Sequence, residues 1–254
     1  MILANPEECT DLENTDPPTQ SPPGNAQRIV RIGHRGAAGH APENTIAGIR
    51  AGISLGVDFV ELDVQRTRDG RLVVIHDSYV DRTTNGAGPV SDLTWEELQQ
   101  LDAGHGERVP SVEAALAAAS GHAGVMLEVK APGIGPELHR LVQASAFPGP
   151  VLYASFLHAE ILAIRKLDPL ATTLALMECV PLSGPAFALD AGASMVGLAH
   201  DSATPEFIAT LHRAGLGVFL YTANEPAQIG RAIALGTDGV ISDYPDRIPT
   251  IRPI

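Results

Sequence analysis

Short apolar segments alternate with helix-like segments along most of this chain, and this alternation limits its fold more than any other feature. Eight of the apolar segments read as strands: residues 29–33, 59–64, 124–130, 150–155, 171–177, 194–199, 217–222 and 239–242. Repeated strand–helix units with short connections predict a parallel sheet, and eight units predict a closed (β/α)8 TIM barrel. The first helix is predicted over residues 44–55. A doubly wound open sheet is the alternative, but its usual GxGxxG loop is replaced here by Gly33-His34-Arg35-Gly36.

Two parts of the chain fall outside this alternation. Residues 1–27 contain five acidic residues and five prolines but no Lys or Arg, so they bury too little apolar surface to offset the entropy of ordering. We predict a disordered acidic tail over residues 1–27 and one folded domain over residues 28–254. The Gly-rich stretch of about 78–110 interrupts the repeat and is predicted to be an insertion. It contains a short helix that Thr94 and Glu97 begin as a capping box.

The composition excludes several kinds of partner. The chain has 254 residues, 44% of them hydrophobic, which supports a substantial core, and a formal net charge of −13. Nucleic acids and anionic membranes bind basic surfaces, which a protein this acidic lacks. We therefore expect neither as a stable partner. No apolar run reaches the ~18 residues of a membrane helix, and no secretory signal opens the chain, so we expect a cytoplasmic location. Cys9 and Cys179 predict no disulfide framework.

Residues 61–77 read as a hairpin that carries several reactive side chains. A tight turn centred between residues 69 and 70 reverses the chain and would set Asp63 opposite His76. Since the side chains of a strand return to the same face every second residue, Glu61 and Asp63 share a face. The hairpin therefore predicts two carboxylates and an imidazole on one patch.

Charged groups gather at the ends of the predicted strands. In a (β/α)8 barrel the reactive groups lie at the carboxyl ends of the strands. Those ends carry His34 and Arg35, Glu61 and Asp63, His76 and Asp77, Glu128 and Lys130, and Asp243. Taken singly, each has a structural interpretation as a hydrogen-bonded histidine, a solvated strand face or an ion pair. Together they are costly to place on one rim without a purpose, which favours an active site.

A series of short motifs runs from about residue 31 to residue 246. The motifs are His34-Arg35-Gly36, Pro42-Glu43-Asn44-Thr45, Glu61-Leu62-Asp63-Val64, Asp69-Gly70, Val74-Ile75-His76-Asp77, Arg82-Thr83-Thr84-Asn85-Gly86-Ala87-Gly88, Glu128-Val129-Lys130, Ser155-Phe156, Tyr221-Thr222-Ala223-Asn224 and Asp238-Gly239-Val240-Ile241-Ser242-Asp243-Tyr244-Pro245. In this order they resemble the glycerophosphodiester phosphodiesterase family. The resemblance implies a TIM barrel with a small insertion after the His-Asp motif, and metal-dependent hydrolysis of a glycerophosphodiester to glycerol 3-phosphate and an alcohol. Lysophospholipase D-type hydrolysis of acyl-bearing phosphodiesters is the alternative.

The resemblance also implies roles for individual residues. Glu61, Asp63 and Glu128 would hold the cation, and three oxygen ligands favour Mg²⁺ or Ca²⁺. His34 and His76 would be the acid/base pair, since an imidazole titrates near neutrality. The other implied residues are Arg35, Lys130, Tyr221 and Phe156 at the substrate, and Glu43, Asn44 and Asp77 around the metal and the imidazoles.

Two positions depart from the family pattern. Tyr221 stands where the family usually has Trp, and Ala154 stands where it often has Ser. Both departures bear on substrate preference, because neither residue belongs to the predicted metal or acid/base set. The sequence leaves open whether the substrate's own 2-hydroxyl attacks first, giving a cyclic phosphate, or water attacks directly. It also leaves open the preferred alcohol, the metal used in the cell, and whether the protein is a monomer or a homodimer.

Overall fold

The computed structural model describes residues 28–250, so the predicted tail and the last four residues of the chain lie outside the described residues. The strands are β1 (Val30–Gly33), β2 (Phe59–Arg66), β3 (Leu72–Val74), β4 (Gly124–Val129), β5 (Val151–Ser155), β6 (Thr172–Met177), β7 (Met195–Ala199), β8 (Gly217–Tyr221) and β9 (Gly239–Ser242). The helices are α1 (Ile46–Ser54), α2 (Trp95–Leu98), α3 (Val112–Ala119), α4 (Gly135–Ser145), α5 (His158–Leu167), α6 (Ala186–Asp190), α7 (Pro205–Arg213) and α8 (Pro226–Ala234). Within residues 28–250, none of the helices has both the length and the apolar character needed to cross a membrane.

Eight of the strands are parallel and close into a barrel. The sheet runs in the order β1-β9-β8-β7-β6-β5-β4-β2, and a further pairing between β1 and β2 joins its two edges. Strand β3 is antiparallel to β2 and lies outside the barrel. This topology confirms the predicted (β/α)8 barrel and excludes the open sheet.

Hydroxyl side chains begin several of the helices, and the sequence predicts one of these caps, that of Thr94. Thr45 accepts a hydrogen bond from the amide of Gly48, and Thr94 forms the predicted capping box with Glu97. The predicted start of the first helix at Asn44 is wrong by two residues. Asn44 has a φ of 57°, in the left-handed region that ends or precedes a helix rather than continuing it. Its side chain is turned instead towards the barrel.

The inside of the barrel is apolar below the rim that carries the charged groups. Its buried side chains are Ile32, Met126, Leu152, Ala154, Leu174, Leu176, Phe219 and Ile241. Two larger clusters pack the outer faces of the strands against the helices. Because side chains alternate along a strand, Glu128, two residues after Met126 on β4, shares its inward face. Apolar side chains therefore fill the barrel directly below the charged groups at its carboxyl end.

The β2–β3 hairpin differs from its predicted register by one residue. Asp63 lies opposite Ile75, whose amide donates to the Asp63 carbonyl at 2.9 Å. The predicted pairing of Asp63 with His76 is wrong because the turn is one residue longer than predicted. The Thr67 amide donates to the Arg71 carbonyl at 3.0 Å, so the loop consists of residues 68–70, in which Gly70 has a φ of 87°. His76 therefore follows the end of β3 and is not placed by strand pairing.

Residues 78–110, which we call the rim segment, pack on a core of their own. Their apolar side chains and those of the return strand form one buried cluster of Val73, Ile75, Val80, Val90, Leu98, Ala103 and Val109. The amide of Trp95 also donates to the Asp69 carboxylate in the hairpin loop. These contacts fix the rim segment to the hairpin at the carboxyl end of the barrel.

Candidate active site

Three carboxylates meet where strands β2 and β4 end. Glu61 and Asp63 point to the same face of β2, and Asp63 lies directly beside Glu128 in the parallel register. One oxygen of each residue lies within 4.8 Å of an oxygen of the other two. None of the three is more than 9% exposed. The barrel thus concentrates three acidic groups in a site shielded from solvent.

Burial and mutual repulsion raise the pKa of two of these groups. Burial raises the pKa of Glu61 well above its ordinary value, and the charges of Asp63 and Glu128 add to the effect. Burial, followed by the charge of Asp63, also raises the pKa of Glu128 to about 7, against the attraction of Lys130. Such a cluster is strained when fully ionised, and a proton or a cation relieves it.

Two oxygens of the cluster have no hydrogen-bond donor in the part of the chain that the structure describes. They are Glu61 Oε1 and Asp63 Oδ1, and both are buried. A buried carboxylate oxygen without a partner carries a large desolvation penalty. A divalent cation would satisfy both, so the residues present fit such an ion. Glu61, Asp63 and Glu128 could therefore hold a divalent metal, as the resemblance implies.

His34 follows β1 and is held by a carboxylate that follows β9. Its Nδ1 lies 2.6 Å from Asp243 Oδ1, and its Nε2 lies 4.0 Å from Glu61 Oε2. Burial acts to raise the pKa of Asp243, but the hydrogen bonds with His34 and Asn224 leave that pKa below its ordinary value. The ionised Asp243 therefore fixes one ring nitrogen of His34 and leaves the other on the side of the carboxylate cluster.

His76 is held in a similar way by its neighbour in the chain. Its Nδ1 lies 2.5 Å from Asp77 Oδ1. Arg82 of the rim segment donates from Nε to Asp77 at 2.6 Å and from both terminal nitrogens to Glu43 at 2.8 Å. The hydrogen bond from Arg82 is the main reason why the pKa of Asp77 is far below its ordinary value. Burial lowers the pKa of His76, and the charge of Asp63 and the hydrogen bond with Asp77 only partly oppose this.

Arg35 connects the first imidazole motif to the carboxylate cluster. Its amide donates to Glu61 Oε2 at 2.7 Å, and its Nη1 donates to Glu43 Oε1 at 2.8 Å. Asn44 donates from Nδ2 to Asp63 Oδ2 at 2.8 Å. Asn44 thus orients a carboxylate of the cluster directly. Glu43 binds arginines instead, so its influence on the cluster passes through Arg35.

Lys130 and two aromatic rings form one wall of the site. Lys130 Nζ lies 2.7 Å from Glu128 Oε1 and 3.6 Å from Asp63 Oδ1. The same Nζ lies 5.8 Å from the centre of the Phe156 ring, which meets the Tyr221 ring edge-on with 5.8 Å between centres. Phe156 is 38% exposed. This wall offers an apolar surface beside an ammonium group.

Three residues of this arrangement have no role assigned from the sequence, although each stands in one of the family motifs: Asp243, Asn224 and Arg82. Asp243 could have been found, because closing the predicted barrel places the end of its last strand beside His34. Asn224 donates to Asp243 Oδ2 at 2.6 Å and could have been found by the same reasoning one strand further on. Arg82 begins a family motif, but its contact with Asp77 depends on how the rim segment folds over the barrel.

Comparison with known proteins identifies the family of this site. The model of the glycerophosphoryl diester phosphodiesterase family matches residues 34–247. The chain belongs to this family. Membership confirms the resemblance seen in the motifs and makes the chain an enzyme of the phosphoric diester hydrolase class.

Relatives of this phosphodiesterase match it over nearly their whole length. The protein YhdW of Bacillus subtilis is 37% identical over 233 residues, which are 85% of this chain and 95% of YhdW. A glycerophosphodiester phosphodiesterase of Caldanaerobacter subterraneus is 35% identical over 234 residues, 87% of this chain and 96% of the relative. A solved structure of an Oleispira antarctica phosphodiesterase, in complex with the product sn-glycerol-3-phosphate, has a TM-score of 0.81 and 28% identity and covers 85% of this chain and 94% of its own.

Proposed function

We propose that this phosphodiesterase hydrolyses glycerophosphodiesters to glycerol 3-phosphate and an alcohol with the help of a carboxylate-bound divalent cation. The observation that carries the proposal is that two carboxylate-paired imidazoles neighbour the buried acidic cluster. His34 Nε2 lies 4.0 Å from Glu61 Oε2, and the charge of Asp63 acts on His76. Cleavage of a phosphodiester needs positive charge at the phosphoryl oxygens and proton transfer at the attacking and leaving oxygens. The site contains a group for each of these needs.

Glu61, Asp63 and Glu128 would hold the cation, and a set of oxygen ligands suits Mg²⁺ or Ca²⁺. When bound, the cation would neutralise charge on the phosphoryl group. Arg35 and Lys130 add fixed positive charge next to the same carboxylates. Arg35 would bind phosphoryl oxygens through its planar fork of donors, and Lys130 would act as a point charge. The side chains of Arg35 and Lys130 would attract the anionic substrate, which the net charge of −13 of the whole chain repels.

His34 and His76 would carry the two proton transfers. Because Asp243 and Asp77 each bind Nδ1, the Nε2 atom of each ring is left to exchange a proton with the substrate. One imidazole takes the proton of the attacking hydroxyl or water, and the other gives a proton to the departing alcohol. The lowered pKa of His76 favours its neutral form at the start of the cycle.

Phe156 and Tyr221 would hold the apolar face of the glycerol. The lysophospholipase D alternative requires an apolar channel, for which the rim segment is the natural source. That segment instead buries Val80, Val90 and Leu98 in its own core. We therefore propose small glycerophosphodiesters, not acyl-bearing phosphodiesters, as substrates.

Chelation tests the proposal. EDTA should abolish the release of glycerol 3-phosphate from glycerophosphocholine, and Mg²⁺ or Ca²⁺ should restore it. Hydrolysis that persists after chelation contradicts the role of the cation, and failure to hydrolyse any glycerophosphodiester with either cation contradicts the activity. Lysophosphatidylcholine assayed in parallel should be turned over far more slowly.

We further propose that the protein acts in the cytoplasm as a monomer or homodimer, without stable binding to nucleic acid or membranes. Its net charge of −13 supports the last two points, because both surfaces are anionic. Cell fractionation tests the location, and light scattering after size-exclusion chromatography tests the oligomeric state.

A further inference from the structure

A cavity lies beside the candidate active site, and Lys130 belongs to both. Its volume is about 650 Å³, and it is enclosed by the end of β2 with its turn, the start of the rim segment and the loop after β4. Lys130 lines this cavity while its Nζ contacts Glu128 in the site. Gln65 also lines it and donates to the backbone carbonyl of His76 at 3.1 Å. Lys130 and Gln65 therefore separate this cavity from the candidate active site, next to the backbone of His76.

Cations dominate the lining of this cavity. Arg66, Arg68 and Lys130 line it together with a single carboxylate, that of Glu137, and the neutral hydroxyl of Ser78. The excess of positive charge is informative in a chain whose net charge is −13, because the field of the whole protein opposes it. Such a lining suits an anionic group.

The two arginines are available to a ligand. Arg66 Nη1 lies 3.4 Å from Glu137, and Arg68 Nη2 lies 3.2 Å from Glu97. Arg68 Nη1 also donates to the Asp92 carbonyl at 2.6 Å, which leaves its Nη2 as the nitrogen that a ligand would bind. Side chains in both pairs are about half exposed, and exposed ion pairs of this kind are weak. A phosphate group can replace the carboxylates at little cost, since a guanidinium binds phosphate through two parallel hydrogen bonds.

We propose that this cavity binds a second phosphate group, carried by the alcohol part of the substrate. The inference rests on the proposed function and narrows it to glycerophosphodiesters whose alcohol bears a phosphate monoester. With the scissile phosphoryl group at Arg35 and Lys130, an alcohol directed past Lys130 would enter the cavity. Its own phosphate then meets Arg66 and Arg68. A neutral alcohol gains nothing from these arginines.

Two substrates that differ by one phosphate test the inference. Glycerophosphoglycerol and the same compound phosphorylated on its terminal hydroxyl are compared by kcat/KM with the wild-type chain in Mg²⁺. We expect the phosphorylated compound to be preferred by a factor on the order of tenfold. The Arg66→Gln/Arg68→Gln double variant should lose that ratio, and the Arg66→Lys/Arg68→Lys variant should keep part of it, because lysine retains the charge without the fork.

A charge-matched control uses arginines remote from the cavity. Arg50→Gln/Arg213→Gln removes the same charge from helices α1 and α7 and should leave the ratio unchanged. The inference is overturned if the wild type has equal kcat/KM values for the two substrates. It is also overturned if the preference for the phosphorylated substrate persists in Arg66→Gln/Arg68→Gln. Either result leaves the proposed function standing. Failure of the wild type to hydrolyse either compound overturns the proposed function and the inference with it.

Discussion

His34 Nδ1 lies 2.6 Å from Asp243 Oδ1, although 209 positions separate the two residues in the chain. The contact exists because β1 and β9 are neighbours in the closed barrel, where the His34 amide also donates to the Ser242 carbonyl at 2.9 Å. Closure of the barrel thus brings together an imidazole and a carboxylate from the two ends of the domain. The imidazole comes from the first strand, and the carboxylate that orients it comes from the last.

Asp243→Asn should lower kcat and leave KM nearly unchanged. An amide in place of the carboxylate loses the charge that stabilises the imidazolium and favours the wrong ring tautomer. We expect a fall in kcat on the order of 10²-fold, the usual contribution of a positioned acid or base. Asp246→Asn is a matched control, because Asp246 pairs with His40, away from the acidic cluster. Similar kcat values for the two variants in steady-state assays would contradict the role of Asp243.

Arg82→Gln should lower kcat about tenfold, since hydrogen-bonded partners of a functional imidazole typically contribute this much or more. Arg82 fixes Asp77, and Asp77 fixes His76. Arg82→Lys should recover part of the loss, because one cation can still reach one carboxylate. Arg108→Gln, in the same segment, removes a guanidinium that donates within the segment to the Leu101 carbonyl, and it should leave kcat near the wild-type value. If Arg82→Gln and Arg108→Gln lowered kcat equally, the role of Arg82 would be limited to stabilising the rim segment.

The metal-free protein should become less stable as pH rises from about 5 to about 7. The pKa of Glu128 in the folded chain is about 7, above its ordinary value of 4.5, so the folded state holds more protons than the unfolded state across this window. The free energy of unfolding therefore falls as pH rises through it. A divalent cation replaces the missing proton, so Mg²⁺ or Ca²⁺ should raise Tm more at pH 8 than at pH 5. Thermal melts with and without EDTA measure both effects.

Clustering the three carboxylates has two expected consequences, a less stable metal-free protein at high pH and the binding of a cation. Glu128→Gln tests the two separately. Removing one charge from the site should make the metal-free protein at least as stable as the wild type at pH 8. The same change removes an oxygen donor of full charge, so the rise in Tm on adding cation should shrink. A variant that is less stable without metal and still gains the full rise in Tm would contradict the carboxylate set.

Tyr221→Phe should leave KM close to its wild-type value, whereas Tyr221→Ala should raise KM about tenfold, the order expected for losing an aromatic contact. The Tyr221 hydroxyl donates to the Met177 carbonyl at 3.0 Å, so we expect the ring, together with that of Phe156, to face the substrate. Burial raises the pKa of Tyr221 well above its ordinary value, which keeps the hydroxyl protonated throughout. A KM that rises as much in the phenylalanine variant would show that the hydroxyl itself contacts the substrate. Steady-state kinetics on glycerophosphocholine measure this.

The parts of the site that follow from local rules could be predicted, and those that depend on folded loops could not. Glu61 and Asp63 share a face by strand alternation, and the parallel register places Glu128 beside Asp63. His76 was harder to place because the Thr67 hydroxyl accepts the Arg71 amide and favours a three-residue loop over the tighter turn. The same limit applies to the rim segment, whose fold over the barrel no strand pattern encodes.

The most direct test is the turnover of glycerophosphocholine by His34→Ala and His76→Ala, each assayed with saturating Mg²⁺ beside the wild type. Both variants should fold, as circular dichroism would show, and each should lose glycerol 3-phosphate release by a factor on the order of 10²–10⁴. Each should still take up the cation, because neither imidazole belongs to the carboxylate cluster. Full activity in both variants would contradict the assignment of this site.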